Sequence, residues 1–269
     1  MAFSGEHFEP ARGPRAAGGR PFRHRLLTWA ATLVVIGGLA LAIDLPVATW
    51  CASGRLPKEA VRLLNFSEVF AHGTGATALL AVVLALDPGL RLPWPGRATW
   101  RDPAVRVFMR IVAATFTGGL LADVVKASVE RVRPRATDFA QLASVWGTFS
   151  DAVLLPHSGS HSDVTSFPSG HAAVAAGFAA ALAWRYPRNT ALFAVIAGMA
   201  AAQRVASSAH YPSDVAYGAA LGLVGAALWL DGRGGHVEPP SSLGKLSGGA
   251  RGESGPWGDL EHGRCEKTP

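Results

Sequence analysis

The chain of 269 residues is 49% hydrophobic and only 16% charged, which excludes an intrinsically disordered or fibrous protein and fits an ordinary soluble domain poorly. Two cysteines, Cys51 and Cys265, are too few for a disulfide scaffold or a cysteine-rich zinc module. A formal net charge of +6 suits anionic lipid, an anionic small molecule or nucleic acid, so the placement of the 25 Lys and Arg residues matters more than their sum.

Residues 1–25 are rich in Gly, Pro and Arg and hold too little apolar surface to order themselves, which predicts a disordered basic segment. Residues 26–43 follow without a single charge. As a helix this run rises about 27 Å and nearly crosses a hydrocarbon core. A cleaved secretory signal also begins with basic residues such as Arg20, Arg23 and Arg25, but this apolar run exceeds the usual signal core and further hydrophobic segments follow it. Those segments are 69–86, 107–125, 169–184, 190–202 and 212–230, each bounded by Pro, Gly or charge. The expected fold class is all-α: a six-transmembrane-helix bundle over 26–230, followed by a disordered tail over 231–269.

Basic residues crowd alternate connections. Arg91, Arg97, Arg101 and Arg106 share a side with Arg185, Arg188 and both termini, while the opposite side is sparser. Lys and Arg accumulate on the cytoplasmic side of short loops, so both termini are expected in the cytoplasm of an integral inner-membrane protein. Trp50, Trp184, Tyr186 and Trp229 fall near span ends, where aromatic rings sit at headgroup level.

Three polar clusters interrupt the apolar pattern, and this topology sends all three to the extracytoplasmic face. The first is KASVERVRP, in which a helical spacing returns Lys126 and Arg133 to nearly the same azimuth, able to flank one anion. By itself it reads more readily as a basic helix end facing lipid headgroups. The second is Pro168, Ser169, Gly170 and His171 at the start of the fourth span. A Ser N-cap followed by Gly leaves backbone N–H groups pointing out of the helix, where the dipole also favours negative charge, and His171 lies in the first turn. The third holds Arg204, His210 and Asp214 in QRVASSAHYPSD. Pro212 suits the first turn of a new helix, so Asp214 stands one turn inside it and can orient the imidazole of His210, leaving the other ring nitrogen as a nucleophile. Together these are parts for phosphoryl transfer: cations around the equatorial oxygens, an in-line nucleophile and a proton donor. No metal site or cofactor is expected, since His157, His161 and Asp163 in the preceding loop lack a defined ligand spacing.

With these residues the chain resembles the type 2 phosphatidic acid phosphatase superfamily, whose signature is Lys-x6-Arg-Pro, then Pro-Ser-Gly-His, then Ser-Arg-x5-His-x3-Asp. Lys126, Arg133 and Pro134 match the first part, Pro168 to His171 the second, and Arg204, His210 and Asp214 the third. One position departs: Gln203 stands where the family usually has Ser. The resemblance implies that His210 attacks phosphorus to form a phosphohistidine, Asp214 holds its ring, and His171 protonates the departing oxygen and later activates water. Lys126, Arg133, Ser169, Gly170 and Arg204 would hold the phosphoryl oxygens. Position at an outer membrane interface suggests a lipid phosphate monoester or a prenyl diphosphate as substrate, with the bilayer as partner and neither nucleic acid nor an obligate protein partner. A lipid phosphotransferase using the same residues, and a non-catalytic protein that binds or transports anionic lipid, are the alternatives. The connection 136–167 contains no Lys or Arg and is expected to cover the site, with Asp138, Trp146, Phe149 and Asp151 able to restrict headgroups.

Overall fold

The computed structural model describes residues 22–87, 90, 99–149 and 160–230. Of the segments expected to be disordered, 1–25 and 231–269, residues 1–21 and 231–269 lie outside the described residues, as do Asp151 and His157, while 22–25 form the first turn of a helix.

Every regular element described is helical, as the composition of the apolar runs requires. Helix α1 (Phe22–Ala40) takes up the first apolar run and is followed, after a bend of 74°, by α2 (Asp44–Ala52). Helices α3 (Lys58–Ala71) and α4 (Gly73–Leu86) meet at His72, with extended backbone, across a bend of 73°. A Cβ on Gly75 would run into the carbonyl of Val69, so a glycine is what lets the backbone close so tightly. Helix α5 (Pro103–Lys126) opens on a proline at its first turn, where the missing N–H costs nothing. Helices α6 (Gly170–Arg185), α7 (Thr190–Ala206) and α8 (Pro212–Trp229) complete the bundle. No strand occurs among the described residues; one isolated parallel bridge joins Arg131 to Thr165.

The six-span count is not confirmed. By length and composition α5, with 24 residues, is the one described helix able to cross a membrane alone, and α1–α2 and α3–α4 qualify only as bent pairs, giving three at most. Helices α6 and α7, at 16 and 17 residues, are short, and α8 spends its first turn on Pro212, Ser213 and Asp214. The expected span over 69–86 is in fact broken at His72, and residues 44–52 and 58–68, read as connection, are helical. Hydropathy hides α3 because Glu59, Arg62, Asn65 and Glu68 alternate with its apolar face.

Helix α8 packs against α1, α5 and α6, α6 also packs on α5 and α7, and α3 lies on α7. Small residues set these approaches: a Cβ on Gly118 of α5 would collide with Gly222 of α8. Ile111, Ala114, Ala181, Trp184, Ala226 and Leu230 lie in the core these helices enclose. The opposite face of α5 leaves Leu120 and Val124 exposed, as suits a helix whose outer surface meets lipid. Because successive helices alternate in direction, the C-terminal ends of α5 and α7 meet the N-terminal ends of α6 and α8. The Ser169 N–H donates to the carbonyl of Asp214 at 3.0 Å, and at the far end Arg185 pairs with Asp87 at 2.7 Å.

Candidate active site

Local backbone features aim the residues of the second and third clusters at one another. Ser169 caps α6 by accepting from the Ala172 N–H at 3.4 Å, following a cis Phe167–Pro168 bond. A Cβ on Gly218 of α8 would strike the Ser169 carbonyl, so that glycine lets α8 support the cap from below. Between α7 and α8 the chain turns through Ser208, at φ 53°, and the N–H groups of Ala209 and His210 both donate to the Arg204 carbonyl at 3.1 Å. His210 is thereby folded back over the end of α7.

His210 is 2% exposed. Its Nδ1 lies 2.8 Å from the backbone carbonyl of Ser166 and 3.7 Å from Oδ2 of Asp214. A carbonyl oxygen only accepts, so Nδ1 carries the proton and Nε2 presents its lone pair. Asp214 therefore stands near the ring without being its close acceptor, and Ser166 links the two by donating from Oγ to Asp214 Oδ2 at 2.6 Å. Burial holds the imidazole of His210 below its ordinary 6.5 against the opposing pull of Asp214, keeping it neutral and nucleophilic.

The cations converge on the same end. Lys126, at the last turn of α5, is held 3.4 Å from Asp123, and its Nζ would lie 3.2 Å from a Cβ on Gly170, close enough that the glycine keeps the helix start open. Arg133 is placed by its N–H donating to the Asp163 carbonyl at 2.7 Å. Burial, reinforced by Arg135 and Arg204, lowers its pKa below the ordinary guanidinium value, yet the group remains charged. Arg204 is steadied by Glu68 at 3.0 Å. The Nε atoms of Arg133 and Arg204 are both buried with no hydrogen-bond partner among the described residues. Buried donors are normally matched; Arg185 Nε, at the far end of α6, is unmatched as well, so it is their place at the His210 end of the bundle that suits these two to receive an anionic oxygen. Lys126 beside Gly170, the Ser169 N–H on the Asp214 carbonyl and His210 on the Ser166 carbonyl bring the three clusters into one site.

Five neighbours were not read from the sequence. His72 sets its ring edge-on to His171 at 5.5 Å. Glu68 holds Arg204, and Gln203, instead of reaching the anion seat, turns its amide to Asn65 at 3.3 Å and Glu68 at 3.5 Å. Ser166 links the histidine to the aspartate. Arg131, wholly buried, pairs with Asp44 at 2.7 Å and with Asp214. Arg131 does stand within the first cluster, and Asp44 is the charge that ends the first apolar run; those were the available signals. Of the covering loop, Phe149 packs over the Arg131 guanidinium at 4.4 Å, while Asp138 accepts from Ala140 and Gln141 of its own turn.

The model of the PAP2 superfamily matches residues 107–234. A lipid A 1-phosphatase of Rhizobium etli is 30% identical over 210 residues, which cover 73% of this chain and 81% of that protein. The chain belongs to the PAP2 superfamily. A second relative, a lipid A 1-phosphatase of Rhizobium johnstonii, is 42% identical over 154 residues, or 57% of this chain. That match spans about half, 54%, of the relative's own length. Among solved structures, a PAP2-type phosphatidylglycerolphosphate phosphatase of Bacillus subtilis aligns with 77% of this chain and 92% of its own, at 22% identity and a TM-score of 0.49. The matched PAP2 region contains all three clusters but neither Asp44 nor His72.

Proposed function

We propose that this chain is a membrane lipid phosphatase that hydrolyses a phosphate monoester through a phosphohistidine on His210. The observation that carries the reading is the convergence of two unmatched buried arginine donors with a neutral, tautomerically fixed histidine. In the first step Nε2 of His210 bonds to phosphorus as the ester P–O bond breaks, and His171 gives its proton to the departing alkoxide. Arg133, Arg204, Lys126 and the N-terminal N–H groups of α6, capped by Ser169 and opened by Gly170, carry the growing charge on the phosphoryl oxygens. In the second step His171 takes a proton from water, the hydroxide attacks phosphorus, and the P–N bond breaks to release inorganic phosphate.

The substrate class follows from the setting and the relatives. Helices whose outer faces are apolar deliver a substrate that keeps its tail in lipid, and both similar curated proteins are lipid A 1-phosphatases. A phosphorylated glycolipid headgroup is accordingly the first substrate to test, followed by other lipid phosphate monoesters and prenyl diphosphates. The basic connections support a site on the extracytoplasmic face of the inner membrane, with both termini inside.

Incubation of purified protein with 32P-labelled lipid A, quenched in alkali, should trap an acid-labile phosphoprotein and release phosphate. The His210→Ala variant should do neither while keeping its circular dichroism. Undiminished release by that variant would refute the nucleophile. Label recovered in an acceptor lipid instead of phosphate would mean transfer, and binding without either product would mean a non-catalytic lipid-binding protein.

A further inference from the structure

At the centre of the loop layer beneath the site lies a charged assembly outside the histidine chemistry. Arg131, Asp44 and Asp214 are all fully buried. Arg131 Nη2 pairs with Asp44 Oδ2 at 2.7 Å, and its Nη1 reaches both Asp214 and the hydroxyl of Ser213, the latter at 2.8 Å. Its Nε donates to Thr148 at 3.0 Å, so each guanidinium nitrogen is engaged. The rings of Phe149 and Tyr211 lie 4.4 and 4.1 Å from the guanidinium carbon. Asp44 also accepts from the Ser213 N–H at 3.0 Å and from its hydroxyl.

Such an assembly is an unusual way to stabilise a fold. Removing ions from water is so costly that well-packed apolar residues often do as well, whereas breaking one partner of a buried set is severe. A functional account is stronger. Two carboxylates and one guanidinium leave a single net negative charge fixed under a neutral His210. When His210 takes the phosphoryl group its ring becomes cationic, and that buried charge is then matched. Asp44 supplies the surplus, since without it Arg131 would cancel Asp214 entirely.

We propose that Asp44 and Arg131 are positioning residues that hold Asp214 in place and keep the histidine pocket one charge negative, so that the cationic form of His210 is stabilised from below. This rests on the phosphatase reading for its effect on turnover, but the electrostatic part concerns His210 itself. It also gives the elbow between α1 and α2, outside the family-matched region 107–234, a part in the chemistry.

The test compares the full chain with Asp44→Asn, Asp44→Glu and Ser213→Ala in detergent micelles. Turnover of a lipid phosphate monoester is measured across pH, and the His210 imidazole is titrated by NMR on 15N-histidine-labelled protein without substrate. Besides the Asp44 and Arg131 charges under test, the groups bearing on that titration are Asp214 of α8, Arg133 of the α5–α6 loop, Arg204 of α7 and His171 of α6. Asp44→Asn should lower kcat by about tenfold or more with KM unchanged, the scale of other residues that orient a primary group. It should also move the His210 titration and the acid limb of the rate to lower pH, and Asp44→Glu should restore both. Ser213→Ala keeps all three charges, so it should reduce kcat by about threefold and leave the titration where it was. If Asp44→Asn proves unfolded, the same proposal is refuted by wild-type kcat in Ser213→Ala, or by a His210 titration in Ser213→Ala that moves to lower pH although all three charges are kept. A folded Asp44→Asn whose titration and kcat match wild type refutes it outright. A wild-type protein that releases no phosphate yet shows the titration shift would sink the phosphatase reading and leave the charge assignment standing.

Discussion

The sharpest consequence of the site geometry concerns Asp214→Asn. In a histidine pocket whose aspartate is the sole acceptor for Nδ1–H, an amide replacement both removes the charge and turns the imidazole to the wrong tautomer. Here the Ser166 carbonyl, at 2.8 Å, holds the Nδ1 proton independently, so the tautomer survives and the loss is of the charge, with one of the two oxygens that accept from Ser166, Tyr211 and Arg131. With Oδ2 at 3.7 Å from Nδ1 and an effective dielectric near 20, that charge stabilises a cationic ring by about 4 kcal/mol. On this basis kcat should fall about a thousandfold while KM stays within about twofold of wild type. Arg131 retains Asp44 at 2.7 Å, so the variant does not strand a buried guanidinium and should fold, with a lowered Tm. Phosphate release by purified protein over a range of substrate concentrations gives the kinetic split, and 15N shifts of His210 report the tautomer. A loss below about tenfold, a loss carried by KM, or an Nδ1 that has surrendered its proton would each refute the reasoning.

Three further outcomes follow from the same contacts. Arg133→Lys keeps the charge but removes the unmatched Nε donor, which should cost about ten- to a hundredfold in kcat/KM for any phosphate ester; equal kinetics would show that Nε does not meet the substrate. Because burial holds His210 below 6.5, the acid limb of kcat/KM should lie below pH 6.5. Below that pH the unfolded chain takes up a proton the folded ring refuses, so His210 makes stability fall as pH drops from 6.5 toward the folded pKa, which denaturation at stepped pH would detect. Gly218→Ala should press α8 onto the Ser169 carbonyl, destabilising the protein by about 1–3 kcal/mol and lowering kcat; a raised Tm would mean the helices part easily.

The legible part of this protein is the part written in local spacing. Apolar runs predicted helices at α1, α5, α6, α7 and α8, because burial in a bundle or in lipid imposes long uncharged stretches. The Ser169 cap and the proline opening of α8 were readable for the same reason, each belonging to a single turn. What failed depended on contacts distant in sequence or on averaging. The bend at His72 is a local backbone decision inside a continuous apolar window, and α3 is too polar to register in hydropathy. Asp44 gains its meaning from Arg131, 87 positions away, and no pattern within the first apolar run announces that partner. Ser166 was missed because its contribution to His210 is a backbone carbonyl, which every residue possesses.

The stretch Arg131, Arg133, Arg135 shows why residue type alone could not assign the cations. Alternate positions carry the same guanidinium, yet the chain runs from core to surface across them: Arg131 is 0% exposed, Arg133 partly buried, and the Arg135 side chain 47% exposed. Arg131 has its nitrogens matched by Thr148, Ser213, Asp214 and Asp44, so it has nothing left to offer a ligand. Arg135 is taken by Asp163 at 3.1 Å in contact with water, a pairing of small energetic value. Arg133, between them, is both desolvated and left with a free Nε. A phosphoryl oxygen gains most where a donor is already stripped of water and still unmatched, since the cost of burial has been met by folding and is recovered only on binding. Under the proposed reading, depth and donor matching, rather than charge, divide three like residues into a charge setter, a substrate contact and a surface tether.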